Sequence, residues 1–86
     1  MNSCAIMCKV LNLPNFDFLF MSKKTSIAFF WAELSNKSIV KVYGFDDVAD
    51  DIFKNINEND VLLIDGVLRC VNNTLEIEIV ELLKLY

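Results

Sequence analysis

The chain has no histidine, one proline (Pro14) and two glycines (Gly44 and Gly66) among 86 residues. Without histidine, a His-based catalytic triad and an imidazole metal site are both excluded. The three cysteines, Cys4, Cys8 and Cys70, are an odd number and lack the short paired spacing of a zinc site. They read as buried thiols in a reducing compartment. No nucleophile–base pair and no phosphate-cradling glycine loop stands out, so neither catalysis, a cofactor nor a metal is expected. No apolar run approaches the length of a membrane span, and no charged segment followed by an apolar one marks a secretory leader. A membrane partner is therefore not expected. Positive charge is also scarce: eight Lys and Arg stand against twelve Asp and Glu, a net charge of −4. That balance opposes strong, purely electrostatic binding of a polyanion.

What is present is apolar residues, 55% of the chain, in two periodicities. The length suits one domain with a thin core. With glycine scarce, Asn36, Asn55, Asn57, Asn59, Asn72 and Asn73 are the natural turn formers, since Asn tolerates left-handed backbone.

Cys4 to Asn12 alternates with a period of two and reads as a strand. Pro14-Asn15 breaks it, and Phe16, Phe18 and Phe20 resume the alternation after the bend. Ser22 to Thr25 is a polar loop. Ser26 to Leu34 is a second strand, Ser35 to Ser38 a turn, and Ile39 to Phe45 a third strand. From Asp46 to Asn57 the apolar residues Val48, Ala49, Ile52, Phe53 and Ile56 recur at helical spacing. Asp46 or Asp47 can cap this helix, and Asp50 and Asp51 lie in or near its first turn, where negative charge suits the dipole. The four aspartates thus read as a solvated helix face, not a metal site. Val61 to Val71 is a fourth strand with Gly66 as a bulge or bend. Asn72-Asn73 is a tight turn, and Thr74 to Leu85 is a fifth strand with Leu75, Ile77 and Ile79 inward and Glu76 and Glu78 outward. Leu82, Leu83 and Leu85 break the alternation. Three strands, a helix and two strands form the order of an all-β, five-stranded OB-fold barrel with one helix between its third and fourth strands.

Two segments carry a resemblance. Lys41-Val42-Tyr43-Gly44-Phe45-Asp46-Asp47-Val48-Ala49-Asp50, and Asn59-Asp60-Val61-Leu62-Leu63-Ile64-Asp65-Gly66-Val67-Leu68-Arg69, resemble the central part of the bacterial single-stranded DNA-binding proteins. Met1-Asn2-Ser3-Cys4 and Gly44-Phe45 look like a smaller branch, the short reading frames shared by cyanobacteria and algal plastids. The resemblance implies an OB fold that holds single-stranded DNA, or RNA, without catalysis. It implies oligomerisation through the first strand, as a homodimer or homotetramer, and a place in DNA replication or maintenance in a plastid stroma or cyanobacterial cytoplasm. Residue by residue, Phe45 matches a base-stacking aromatic, Lys41 a phosphate-contacting base, and Trp31 a polar position facing bound DNA. Ile39 and the Asn72-Asn73 turn fall where stacking tryptophans stand in the family, and Asp17 falls where it has a basic residue.

Alternation builds the same site without the family. Phe29, Trp31 and Glu33 share one face of the second strand; Lys41, Tyr43 and Phe45 share one face of the third. A turn centred on Lys37 sets Glu33 opposite Lys41, Trp31 opposite Tyr43, and Phe29 opposite Phe45, leaving Phe30, Ala32 and Leu34 against Val40, Val42 and Gly44 in the core. Four aromatics are then expected outside, a platform on which bases stack. Lys41, Arg69, Lys23, Lys24 and Lys37 are the expected phosphate contacts, with Arg69 opposite Glu76 across the Asn72-Asn73 turn. Phe16, Phe18, Phe30 and Phe53 are expected in the core. The alternative for the exposed aromatics is a protein interface, where Trp, Tyr and Phe are also favoured. The apolar first strand, charged only at Lys9, is an edge that invites pairing with another copy.

Overall fold

The computed structural model describes residues 3–20 and 24–85. Its elements are β1 (Ser3–Val10), β2 (Asn15–Phe20), β3 (Lys24–Leu34), β4 (Ile39–Phe45), α1 (Asp46–Asn55), β5 (Val61–Val71) and β6 (Thr74–Lys84). The strands hydrogen-bond in the order β1-β5-β6-β4-β3-β2, and a further β1–β3 pairing closes the first five into a barrel. All the pairings are antiparallel except β4–β6, which is parallel. This is the five-stranded OB barrel expected, with α1 between its third and fourth strands. The chain breaks at Asn12–Pro14, so β2 becomes a separate strand on the outer edge of β3.

Inward positions fill the barrel. Phe30, Val42, Leu62, Ile64 and Ile77 have no exposed surface, and Ala49 and Ile52 of α1 join them. Burial of each large side chain stabilises the fold by about 1.5–3 kcal/mol. Gly66 sits at a bulge between β5 and β6, where Gly66 pairs with Ile79 and Asp65 with Glu81, leaving Val80 as the extra residue. The bulge reverses the inward parity of β6. Ile77 and Ile79 point in before it and Leu82 after it, which accounts for the broken alternation at the end of the chain. Asn72 and Asn73 both take positive φ, 51° and 64°, and close the β5–β6 hairpin in place of glycine.

Several local expectations are corrected. The β3–β4 hairpin is not centred on Lys37. The Lys37 N–H donates to the Leu34 carbonyl, the Leu34 N–H donates to the Ser38 carbonyl, and Lys37 takes φ 71°. This is a three-residue loop ending in a left-handed residue. It pairs Trp31 with Lys41, Phe29 with Tyr43, Ile27 with Phe45 and Glu33 with Ile39. The slip of two residues keeps every side chain on its expected face and changes its partner. Lys24 and Thr25 belong to β3, not to a loop. The helix ends at Asn55, and neither Asp46 nor Asp47 caps it. Phe45 is the N-cap and makes no side-chain cap bond; Asp46 Oδ1 instead accepts the Ser26 N–H at 3.2 Å. Phe53, expected in the core, is 56% exposed, because Ala49, Ile52 and Ile56 take the inward face and leave its ring against Phe16, 5.1 Å between centroids. Phe18 is likewise 43% exposed and meets Phe16 edge-on, whereas Phe16 packs on the core. Leu75 keeps the inward parity but lies beyond the barrel end, exposed.

Candidate nucleic-acid interface

The outer face of β3 and β4 is continuous with outward residues of β6 and β5. Pairing sets Trp31, Lys41, Glu76 and Arg69 in one row across β3, β4, β6 and β5. A second row runs from Asn15 through Phe29, Tyr43 and Glu78 to Val67. Trp31 is the open member at 43% exposure. Its backbone is fixed on both sides: its N–H donates to Asn12 Oδ1 at 2.8 Å, and its carbonyl accepts the Leu11 N–H. The indole therefore stands on rigid backbone and faces outward. Phe29 and Phe45 are half-buried beside it. The Lys41 ammonium lies 4.7 Å from the centre of the Phe29 ring, a cation–π contact.

Tyr43, expected outside, is 8% exposed. The parallel β4–β6 pairing sets Glu78 beside it, and Phe45 meets its ring edge-on at 5.6 Å. Burial, reinforced by Glu78, raises the phenol above its ordinary pKa. Arg69 does lie opposite Glu76, but its ion pair is with Glu78 on the diagonal, Nε to Oε1 at 3.0 Å. Of the expected site residues, Phe29, Trp31, Lys41, Tyr43 and Phe45 share one face, and Arg69 reaches it from β5. Lys24 is placed in β3 by its backbone, and Lys23 lies outside the described residues.

Glu76 and Glu78 are the site members that local reasoning does not bring in. Their outward parity is plain in the sequence; their arrival beside Lys41 and Tyr43 depends on the long-range β4–β6 pairing. Asp47 and Asp51 of α1 and Glu81 of β6 border one cleft, away from Trp31. Among the described residues, no group of three or more Cys, Asp or Glu side chains could hold a metal ion.

The arrangement can receive flat, planar groups: an exposed indole, two half-open phenyl rings and one ammonium on a stiff two-stranded surface. No family model and no curated protein matches the chain. Solved structures do match. A single-stranded DNA-binding domain from Synechococcus superposes with a TM-score of 0.87 at 23% identity, over 95% of this chain and 93% of that one. The small single-stranded DNA-binding protein of Streptomyces coelicolor gives 0.76 at 14%, over 98% and 95%. The wild-type single-stranded DNA-binding protein of Thermus aquaticus gives 0.83 at 16%, over all of this chain and 41% of that one. The chain has their OB fold. At these identities the likeness establishes the fold, and the OB-fold face formed by β3 and β4 must be judged on its own residues.

Proposed function

We propose that this OB fold is a non-catalytic module that binds single-stranded nucleic acid, DNA or RNA, without sequence preference. The observation that carries the reading is Trp31: a large aromatic, exposed on fixed backbone, at the centre of a face that also holds Phe29, Phe45 and Lys41. Bases stack on such rings whatever their identity, each stack contributing about 1–3 kcal/mol. Lys41 has two uses here. In the free protein its ammonium rests on Phe29; a phosphate draws it off and opens the ring to a base, at a cost of about 0.5–1 kcal/mol for the exposed cation–π interaction. Tyr43 is covered on that same face, with Phe45 against its ring and Glu78 beside it, and Arg69 is held by Glu78, so neither is a first point of contact. The names of the similar solved structures support this reading. The setting proposed is DNA replication or maintenance in a plastid or cyanobacterium; the bias toward Asn, Ile, Lys and Phe suggests an AT-rich genome, which suits a plastid. The test is fluorescence anisotropy of a labelled oligo-dT with wild type and Trp31→Ala. Removal of one stack weakens binding about 5- to 150-fold. Equal affinity in the two proteins would reject the platform.

A second reading, an oligomeric protein-interaction module, is favoured by a different surface. Met7, Leu63 and Leu83 are exposed and lie in one row across β1, β5 and β6. Beside them, Ser3–Met7 of β1 pairs with β5 on one side and, among the described residues, with no strand on the other. We propose a homodimer or homotetramer through this edge, which sedimentation as a monomer at micromolar concentration would refute. Trp31 lies outside this row, so such an oligomer leaves Trp31 open; an oligomer that buries Trp31 favours the interaction module instead.

A further inference from the structure

We infer that a bound strand leaves the Trp31 platform toward β1, through a groove walled by Lys9 and Lys37. This rests on the nucleic-acid reading and adds to it a direction, a new contact residue, Lys9, and a place for Lys37.

The platform is electrostatically lopsided. On its β6 side stand Glu76, opposite Lys41, and Glu78, opposite Tyr43. Arg69, the cation nearest them, is held in its ion pair with Glu78, and Lys84 at the far end of β6 is paired with Asp60. Farther that way, Asp65 and Glu81 face each other across β5 and β6. A phosphate chain running over β6 meets carboxylates at each step, and like charges in partly buried surroundings are poorly screened.

The β1 side differs. Two residues along β3 from Trp31 is Glu33, whose partner across the β1–β3 pairing is Lys9. Lys9 and Glu33, with Ser35 and Lys37 from the hairpin loop, stand over a groove of about 190 Å³ between β1 and that loop, whose remaining walls are apolar and include Met7 and Val61. Both lysines are exposed. The ion pairs formed among the described residues are Arg69–Glu78 and Lys84–Asp60, so neither lysine is committed to a carboxylate. Two positive charges there outweigh the single negative one of Glu33. Strand geometry puts Lys9 about 7 Å along and one strand, about 5 Å, across from Trp31. An OB fold takes about 4–16 nucleotides, so a strand anchored on Trp31 must continue off the platform, and this groove is its cationic exit.

The experiment compares dT4 with dT15 on wild type and on the double variant Lys9→Gln, Lys37→Asn. Asparagine suits the left-handed backbone at position 37, and both side chains are exposed, so the fold is retained; far-ultraviolet circular dichroism checks it. In the variant, dT15 binding weakens and its log–log salt slope becomes shallower by about 1.4, about 0.7 for each phosphate that a lysine no longer neutralises. Binding of dT4 and the Trp31 quenching at saturation stay as in wild type. Glu33→Gln tightens dT15 binding. An unchanged dT15 slope and affinity in the double variant, with Trp31 quenching intact, would overturn this path and leave the platform standing. Absence of any quenching in wild type would overturn both.

Discussion

Gly66→Ala tests the barrel at the point where the face is aligned. A methyl group at Gly66 would lie 2.5 Å from the Glu78 carbonyl oxygen and 2.9 Å from Ile77 Cγ2. Carbon atoms do not sit that close to a carbonyl oxygen, so something must move. The obstacle is backbone of β6, held on its other side by parallel pairing of Ile77 and Glu78 with Val42 and Tyr43 of β4. Overpacking of this kind costs about 1–3 kcal/mol, and an immobile backbone places it near the upper end. Gly66 has no positive φ, so alanine regains about 0.4–1 kcal/mol from the less disordered unfolded chain. The net loss is about 2 kcal/mol, a large part of the total stability of a domain this size, and lowers Tm by about 8–16 °C. Gly44→Ala is damaging for another reason: its added carbon would meet Val48 Cγ1 and lie 3.1 Å from Val48 Cβ, which moves only with α1, so it strains the helix packing and not the bulge. Urea unfolding followed by circular dichroism should find Gly66→Ala destabilised by about 2 kcal/mol. If Gly66→Ala leaves the midpoint unchanged, the bulge and the β5–β6 register are wrong.

Other predictions concern charge. Glu78→Gln removes the carboxylate that holds Arg69; oligo-dT then binds more tightly, with a salt slope steeper by about 0.7 as Arg69 reaches phosphate, and an unchanged slope would contradict this. Burial pushes the Cys8 thiol up to about 11 from its ordinary 9.0. The unfolded chain releases that proton first, so stability is full below pH ~9 and falls as pH rises toward ~11, a loss that Cys8→Ala abolishes in urea titrations run across that range. Asp60 is held below its ordinary pKa by the Asn57 N–H and by Lys84. Its contribution is therefore present above pH ~4 and is lost as pH falls through the lowered value; Asp60→Asn should flatten the acid limb of the stability profile, and an unaltered limb would show the loop carries no such coupling.

Much of this was legible because the chain is locally consistent. Alternation located the strands, helical spacing located α1, and Gly66 and Asn72-Asn73 marked the bulge and the turn where the structure has them. The β3–β4 register was not, since a turn centred on Asn36 or on Lys37 buries the same faces and no glycine marks the left-handed position that Lys37 fills. Tyr43 looked as open as Trp31 by parity. What separates them is the arrival of β6 beside β4, with Glu78 as partner to both Tyr43 and Arg69, and no short-range pattern encodes a parallel pairing across more than thirty residues. Phe53 and Phe18 are apolar by type and exposed by position, because the barrel end is filled by Ala49, Ile52 and Ile56 before their rings reach it.

The central claim is that bases stack on the β3–β4 face, and Trp31, the single tryptophan, reports on it directly. Its fluorescence should be titrated with oligo-dT at low salt, and salt then added back. Saturable quenching that salt reverses is the result this account requires. A flat titration up to tens of micromolar oligo-dT would contradict it and assign the exposed aromatic face to a protein partner.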